Sequence, residues 1–350
     1  MTETWRLPPT VLPEGERRDL WVADGLITSD PIGGAESLPG RFALPGLVDA
    51  HCHLAVGVDR EPLERAGARA ALLRARDQGV LLVRDVGAPH SVTLDIRAEP
   101  GLPPLLAAGR WLAPLGGFYP TLHDPVPAAD VVLAALAEVA RGATWVKIVT
   151  DWPRGEGADR RVVPSYDAET LRRVIDAVHA AGVRVAVHAV SRFAIDLVAL
   201  GVDSVEHGEF LDTTTLRVMA ERGIAWTPTV SAVTAPLPAD APDELRRRVA
   251  TSMENLRELL PAAARLGVTV LAGTDTVGTV AGEASRLVQF GMAPIDALRA
   301  CTTAARAFLG APGIEAGASA DVLTFDADPR DDPAALARPT AIVLRGHRVR

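Results

Sequence analysis

Hydrophobic positions follow one pattern at the two ends of the chain and another in its middle. Residues 1–45 and 320–350 contain short runs of alternating apolar and polar residues, separated by glycine, proline and other turn formers, which predicts β-strands. In the middle of the chain, short apolar runs alternate with longer segments of helical periodicity. This alternation is typical of βα units that build a parallel sheet, so the pattern predicts an α/β fold.

The middle region contains eight such apolar runs, and several helical segments between them end in glycine, as helix C-termini often do. Eight strands with interleaved helices is the count of a closed (β/α)8 TIM barrel. An open doubly wound sheet is the alternative, but no glycine-rich dinucleotide fingerprint follows the first strand. The strands are predicted at residues 43–51, 80–87, 104–112, 144–150, 183–189, 202–207, 224–230 and 268–275.

The two β-rich ends of the chain are predicted to pair with each other. Residues 1–45 and 310–350 would then form a small accessory β-sheet (sandwich) domain beside a barrel of residues 46–309. The chain of 350 residues has the length for this arrangement, since α/β barrels alone often have about 250 residues.

Composition and charge limit the classes of partner. The formal net charge of −8 argues against nucleic acid, because a phosphate-binding face needs clustered lysine and arginine. Two cysteines cannot form a disulfide framework, and the N-terminus lacks the pattern of a signal peptide. No apolar stretch approaches the roughly 18 residues of a membrane span. A cytoplasmic protein that acts on a small molecule, with no membrane partner, is therefore expected.

Side chains that bind metal ions recur where the predicted strands end. His51 and His53 close the first strand, and their spacing of two places both imidazoles on one side of it. In a barrel the C-terminal strand ends converge on one face, where active sites are built. Imidazole and carboxylate ligands suit Zn²⁺ or a similar divalent metal. The candidate ligands are His51, His53, Lys147, His188, His207 and Asp275.

Each candidate ligand also has a structural interpretation. A single histidine at a strand end is more often an ordinary polar residue, Lys147 could extend along a barrel rim, and Asp275 could cap a turn. The convergence of four of the eight histidines with an acid on the eighth strand favours the metal site. Strand alternation points Cys52 toward the core, and His179 is predicted to lie on a helix surface.

Several segments together resemble the motifs of the amidohydrolase superfamily, and the resemblance covers nearly the whole chain. Residues 83–87 (VRDVG) and 145–148 (WVKI) resemble the branch of imidazolonepropionase-like hydrolases that includes metal-dependent Xaa-Pro dipeptidases. The superfamily segments are LPGLVDAHCH (44–53), VEHG (205–208), AGTDT (272–276), ASADVL (318–323) and VLRGH (343–347).

The resemblance implies two divalent metal ions, Zn²⁺ first with Mn²⁺ or Fe²⁺ as alternatives. Two metal ions about 3.5–4 Å apart lower the pKa of a bridging water and polarise a substrate carbonyl. Asp275 would also accept the proton of the nucleophile and deliver it to the leaving group. The implied ligands are His51, His53 and Asp275 for one ion, His188 and His207 for the other, and Lys147, carboxylated by carbon dioxide to a carbamate, as the bridge.

Two segments depart from the motifs of the related hydrolases. Residues 116–119 read GGFY where relatives often carry Gly-Gly-His-Gly, and residues 188–191 read HAVS where they carry His-Ala-His. Each change replaces an imidazole with apolar or aromatic surface, which predicts a less polar substrate. The residues predicted to contact substrate are Tyr119, His123 and Arg192. Loop packing is the alternative for the tyrosine, and surface charge for the arginine.

The segment 231–241, rich in proline and alanine, follows the seventh predicted strand on the active-site side. A long loop there is often functional, so it is predicted to form part of a lid, with a plain connection as the alternative.

Three functional hypotheses follow from these residues. The first is a binuclear metal-dependent hydrolase that cleaves an amide, dipeptide or cyclic amide or ester bond in a small molecule. The second is a mononuclear deaminase or imidazolone-type ring hydrolase, which would have no use for Lys147 at the metal site. The third is a catalytically inactive relative that serves as a scaffold, although such proteins are expected to lose ligands, and this chain retains all six. Self-association into a homo-oligomer is expected only by analogy with the superfamily.

Overall fold

The computed structural model describes residues 3–155 and 160–350. Its central part consists of parallel strands joined by helices, so the predicted α/β fold is confirmed. The strands of the described chain are β1 (Trp5–Arg6), β2 (Thr10–Val11), β3 (Glu16–Arg17), β4 (Trp21–Ala23), β5 (Leu26–Thr28), β6 (Glu36–Ser37), β7 (Phe42–Pro45), β8 (Leu47–Cys52), β9 (Val80–Asp85), β10 (Leu105–Ala107), β11 (Trp111–Leu112), β12 (Trp145–Val149), β13 (Asp151–Arg154), β14 (Arg161–Pro164), β15 (Arg184–Ala189), β16 (Ser204–His207), β17 (Ala225–Thr227), β18 (Val322–Phe325), β19 (Ala341–Leu344) and β20 (His347–Arg348).

Helices connect most consecutive parallel strands. They are α1 (Arg65–Asp77), α2 (Val92–Ile96), α3 (Val131–Ala140), α4 (Ala168–Ala180), α5 (Ala194–Leu200), α6 (Thr213–Arg222), α7 (Val230–Val233), α8 (Asp243–Leu266), α9 (Val280–Gln289), α10 (Pro294–Ala300) and α11 (Thr303–Leu309). Asp167 and Asp212 precede α4 and α6 and accept hydrogen bonds from backbone N–H groups of the first turn, which satisfies donors that a helix start leaves free. Within residues 3–155 and 160–350, no helix has both the length and the apolar composition needed to cross a membrane.

Parallel pairing follows the order of the chain. One sheet contains β8, β9 and β10, and a second contains β11, β12, β15, β16 and β17. Residues 268–275, predicted as the eighth strand, form a single parallel bridge to β17 rather than a regular strand. They also reach β8, because the Asp275 N–H donates to the His51 carbonyl oxygen across 2.8 Å. Positive φ at Asp275 (46°) and Thr276 (70°) ends the extended conformation.

The third predicted strand, residues 104–112, is divided into two short strands. β10 pairs with β9, and β11 pairs with β12. Gly109 lies between them with φ at 75°, a left-handed conformation that glycine adopts without steric cost, and its carbonyl oxygen accepts the Ala88 N–H across 2.8 Å. Gly109 and Arg110 interrupt the apolar run at the break, but apolar residues on both sides of them led to the prediction of one strand.

Both ends of the chain contribute to the remaining large sheets. A six-stranded sheet has the order β20-β19-β18-β7-β2-β3, and a four-stranded sheet has the order β5-β4-β1-β6. A separate apolar cluster packs among these strands and includes Trp5, Val22, Ile27, Val322 and Val343. N-terminal and C-terminal strands therefore meet in one sheet, next to the start of β8.

Candidate metal centre

The structure brings the six candidate ligands together at the C-terminal ends of the parallel strands. The ring centroids of His188 and His207 are 4.5 Å apart, and those of His51 and His207 are 5.0 Å apart. One ligand atom from each of His51, His207 and Asp275 lies within 4.8 Å of the others. Strand order explains this, since β8, β12, β15 and β16 carry His51, Lys147, His188 and His207. The five candidates that line a common cavity are His53, Lys147, His188, His207 and Asp275.

The Asp275 carboxylate faces the two histidines of the first motif. Its Oδ1 atom lies 3.2 Å from His53 Nε2 and 3.5 Å from His51 Nε2. Burial by itself raises the pKa of the Asp275 carboxyl. The adjacent imidazoles have the larger, opposite effect, so the pKa lies well below its usual value. Asp275 is therefore an anion at neutral pH, as both a metal ligand and a proton acceptor require.

Burial favours the neutral forms of His188, His207 and Lys147. It lowers the pKa of His188 well below its usual value and that of His207 to about 3. The pKa of Lys147 falls to about 8, chiefly through burial, so about one-tenth of this side chain is the neutral amine at pH 7. Lys147 is also the only lysine in the sequence, and all the other basic residues apart from histidine are arginines.

Three buried nitrogen atoms of this cluster have no hydrogen-bond partner in the described part of the chain: His51 Nε2, His188 Nε2 and Lys147 Nζ. A buried polar atom without a partner costs roughly 1–3 kcal/mol, so natural structures rarely contain several together. Lone pairs from neutral imidazoles, next to an anionic carboxylate, are the ligand chemistry of Zn²⁺ and similar ions. These residues therefore fit a divalent metal centre.

Three of the histidine rings are held by contacts of their Nδ1 atoms, which leaves their Nε2 atoms facing the candidate metal site. His51 Nδ1 donates to Glu206 Oε2 across 2.7 Å, and His53 Nδ1 donates to the Gly87 carbonyl oxygen across 2.9 Å. His207 Nδ1 lies 2.8 Å from the Thr229 hydroxyl. Metal-binding histidines are usually held in this way, because the second contact fixes the tautomer and the orientation of the ring.

A buried ion pair lies beneath His51 and was not identified from the sequence. Arg84 Nη2 donates to Glu206 Oε1 across 2.9 Å, and neither side chain is exposed to solvent. The Arg84 Nε atom also donates to the Ala50 carbonyl oxygen across 2.6 Å, and the guanidinium lies 4.5 Å from the centre of the Trp145 ring. Glu206 thus connects this pair directly to a candidate ligand. Both residues occur in recognised motifs, VRDVG and VEHG, so the motifs were the available signal.

The cavity above the candidate ligands has a volume of about 230 Å³. One side of its wall is aromatic, and the exposed Arg60 also lines it. Sequence reasoning missed Trp152, which lies on the β13–β14 hairpin with its ring centre 5.4 Å from that of His188. The aromatic residues that line the cavity, apart from the histidines, are Trp111, Phe118, Tyr119 and Trp152.

The three predicted substrate contacts are placed differently. Tyr119 is half-buried and lines the cavity. His123 lies behind the cavity wall, where its ring packs at 5.8 Å from Phe118 and its Nδ1 donates to the Tyr119 carbonyl oxygen across 2.9 Å. In the described chain, Arg192 is not among the residues that line the cavity. The structure thus brings one of the three to the cavity surface.

Three further sequence predictions concern residues around the ligand cluster. Cys52 is buried in the main apolar core. His179 lies on α4, partly exposed, with its Nε2 atom 2.8 Å from the Asp203 carboxylate. The segment 231–241 begins within the short helix α7, and its Ala235 lines the cavity, so this segment supplies part of the cavity wall.

Replacing Gly273 with alanine is expected to lower the affinity for Zn²⁺ about 10- to 100-fold, the usual effect of disturbing the support of a ligand. The new Cβ atom would lie 2.5 Å from His51 Cβ and 2.7 Å from Thr227 Cγ2, so His51 must move. A competition titration against a zinc chelator measures this. Gly33→Ala is the control, because no atom lies within 4 Å of its Cβ position. Equal affinities for the two variants would show that close packing of Gly273 against His51 does not support the metal site.

Comparison with known proteins identifies the family of this chain. The Amidohydrolase family matches residues 42–349. An uncharacterized protein of Mycobacterium tuberculosis is 37% identical to this chain over a match that covers 96% of this chain and 93% of that protein. Among solved structures, a Xaa-Pro dipeptidase with bound methionine superposes with a TM-score of 0.83 at 22% identity over 99% of both chains. Ochratoxinase from Aspergillus niger superposes with a TM-score of 0.81 at 19% identity over 99% of this chain and 95% of that one. The chain therefore belongs to the amidohydrolase family.

Proposed function

We propose that this protein is a metal-dependent hydrolase of carbon–nitrogen bonds that cleaves an amide, dipeptide or cyclic amide or ester bond in a small molecule. The observation that carries the proposal is a group of three nitrogen atoms, on His51, His188 and Lys147, which are buried beside the anionic Asp275 and have no hydrogen-bond partner among the described residues. Membership of the amidohydrolase family and the likeness to a dipeptidase and an ochratoxinase support amide hydrolysis as the reaction.

The residues of the cluster suit two divalent metal ions, with Zn²⁺ as the first choice and Mn²⁺ or Fe²⁺ as alternatives. When bound, such ions supply an activated water and polarise the substrate carbonyl. The assignment proposed for the ligands is His51, His53 and Asp275 for one ion, His188 and His207 for the other, and Lys147 between them as a carbamate.

The chemistry of Lys147 supports its proposed role. Its neutral amine can capture carbon dioxide, whereas the guanidinium of arginine stays protonated and cannot. Its Nζ atom is buried and has no hydrogen-bond partner in the described residues, and burial lowers its pKa to about 8, which makes the neutral amine more accessible than in an exposed lysine. A carbamate would place an anion among imidazoles, where two cations stabilise it.

Asp275 has the geometry of the proton acceptor in this reaction. It is anionic, lines the cavity and stands within 3.5 Å of the Nε2 atoms of His51 and His53. We propose that it takes a proton from the attacking water and passes that proton to the leaving nitrogen, so that the amine departs neutral.

We propose in addition that the parallel strands close into a (β/α)8 barrel of residues 46–309. Pairing in chain order within two sheets, from β8 to β10 and from β11 to β17, together with the contacts of residues 268–275 with both β17 and β8, supports this closure. Residues 1–45 and 310–350 would form the accessory β-sandwich, and a single six-stranded sheet built from both ends supports that division.

Metal dependence and reaction type are tested together by chelation. Protein treated with a strong chelator should lose hydrolysis of dipeptides and N-acyl amino acids, and stoichiometric Zn²⁺ should restore it. Lactones and organophosphate esters in the same panel separate amide from ester chemistry. Activity that survives complete removal of metal would contradict the proposal, and so would zinc-loaded protein that cleaves no member of the panel.

Replacing Lys147 with alanine is expected to lower the metal content from about two ions per chain to one or fewer, because the bridging anion is lost. Elemental analysis of protein grown with zinc measures this. Since the chain has one lysine, ¹³C-bicarbonate should also give a single side-chain carbamate NMR signal that the variant lacks. One metal per chain in both proteins, with no carbamate signal, would instead support the mononuclear hypothesis.

A further inference from the structure

The cavity above the ligand cluster has one wall that attracts aromatic groups. The ring centres of Tyr119 and Trp152 are 4.9 Å apart, and those of Phe118 and Trp152 are also 4.9 Å apart. Tyr119 and Trp152 are half-buried and line the cavity, so ring surface is open to a ligand. Trp152 also stands beside His188. A group bound against Trp152 would therefore lie next to the bond that reacts.

A second feature of the cavity is an arginine without a carboxylate partner in the described residues. Arg60 lies in the segment after β8, and its guanidinium carbon is 4.4 Å from the centre of the Tyr119 ring. The same guanidinium donates a hydrogen bond to the Tyr119 hydroxyl. Apart from Lys147 and the histidines, Arg60 is the cation that lines the cavity. Its remaining N–H groups are suited to bind a carboxylate.

The backbone holds Arg60 in a less common conformation. Its φ is 59°, in the left-handed region that residues other than glycine rarely adopt. Its N–H donates to the Gly57 carbonyl oxygen across 3.0 Å, and the Gly57 N–H donates to the Glu61 carbonyl oxygen across 2.9 Å. This tight turn directs the arginine toward Tyr119. Such local strain is often found at ligand-binding positions.

The size of the cavity limits the ligand. Its volume of about 230 Å³ is below the roughly 300–1,000 Å³ of pockets that enclose drug-sized ligands. One aromatic ring with a short chain fits this space.

We propose that the substrates are small amides that carry one aromatic ring and one carboxylate, with the ring against Trp152 and the carboxylate on Arg60. N-acetyl-L-phenylalanine represents this class. The proposal rests on the function proposed above. Water would form a bond to the acetyl carbon, the carbon–nitrogen bond would break, and the products would be acetate and L-phenylalanine, with the proton passing through Asp275.

Matched substrates test the two contacts separately. N-(2-phenylethyl)acetamide keeps the ring and the scissile bond but lacks the carboxylate, and N-acetyl-L-alanine keeps the carboxylate but lacks the ring. The value of kcat/KM for N-acetyl-L-phenylalanine should exceed that for N-(2-phenylethyl)acetamide about 10- to 100-fold, the effect of one charge-assisted hydrogen bond. Arg60→Gln should remove this preference. Trp152→Leu should remove the preference over N-acetyl-L-alanine.

The control is Arg65→Gln, which changes an exposed arginine that pairs with Glu99 and does not line the cavity in the described chain. It should keep both preferences. Because Arg60 is exposed, its variant is expected to fold, and thermal unfolding checks this for each variant. Amide hydrolysis without a carboxylate preference, or with a preference that Arg60→Gln leaves intact, would overturn the proposal.

A binding measurement separates this proposal from the proposed function. Isothermal titration of the purified protein with 3-phenylpropanoate and with 3-phenylpropan-1-ol needs no turnover. The acid should bind at least about 10-fold more tightly, and Arg60→Gln should lose most of that difference. If the acid binds in this way but no amide is cleaved, the result supports the proposed binding site and contradicts the proposed hydrolase function. If both ligands bind equally to protein that cleaves amides, the function stands and the aromatic-acid class fails.

Discussion

Replacing Asp275 with asparagine is expected to lower kcat for amide hydrolysis about 10²- to 10⁴-fold, the range that a positioned proton acceptor contributes. Asparagine has nearly the same shape, but it cannot accept the proton of the attacking water. It keeps one oxygen that can face the Nε2 atoms of His51 and His53, which are 3.5 and 3.2 Å from the present carboxylate. The metal content of the variant is therefore expected to remain close to that of the wild type.

The control for this experiment is Asp296→Asn. Asp296 lies on α10 and pairs with Arg299 across 3.1 Å, away from the cavity, so the same chemical change there should leave kcat unaltered. Elemental analysis of both variants separates loss of the proton acceptor from loss of metal. If Asp275→Asn kept near wild-type turnover with its metals bound, Asp275 would not be the proton acceptor.

Replacing Arg84 with methionine is expected to lower the free energy of unfolding by about 3–5 kcal/mol, the cost of leaving one member of a buried ion pair without its partner. Glu206 would keep its bonds to His51 and Ser204, of 2.7 and 2.6 Å, but its charge would lose the guanidinium 2.9 Å away. Burial alone raises the pKa of Glu206, and Arg84 with His51 brings it well below its usual value. Without Arg84, the folded state must bury a carboxylate or protonate it.

Urea unfolding of the variant and the wild type, at matched metal content, measures this difference. Arg69→Met is the matched control, because Arg69 pairs with Glu99 at 2.8 Å on the surface, where such pairs contribute at most about 1 kcal/mol. The double variant Arg84→Met/Glu206→Gln should recover part of the loss, since it removes the unpaired charge. Equal destabilisation by Arg84→Met and Arg69→Met would show that the buried ion pair contributes no more to the free energy of unfolding than the surface pair.

The candidate ligands were accessible to sequence reasoning because they depend on local rules. Parallel strands bring their C-terminal ends to one face, so a histidine or acid at each strand end needs only the strand assignment to be located. His51 and His53 illustrate this, since the period of two along a strand puts both on one side. The same rule placed Cys52 between them in the core, where the structure has it.

The surroundings of the ligands could not be derived in the same way. Glu206 contacts His51 from 155 positions away in the chain, and Arg84 reaches Glu206 across strands that are not adjacent in sequence. Trp152 reaches the cavity only because β13 pairs with β14 in a hairpin that the apolar pattern did not indicate. Arg60 depends on a positive φ at its own position, a conformation that its residue type does not indicate. These contacts follow from side-chain packing in three dimensions rather than from periodicity.

The most direct test of the two-metal centre is an anomalous diffraction map of crystals of the zinc-loaded protein at the zinc absorption edge. Two peaks are expected at about 2.0–2.3 Å from their ligand atoms. One should lie beside His51, His53 and Asp275 and the other beside His188 and His207, with added density on Lys147 Nζ between them. A single peak with an unmodified Lys147, or zinc bound elsewhere on the protein, would contradict the two-metal centre.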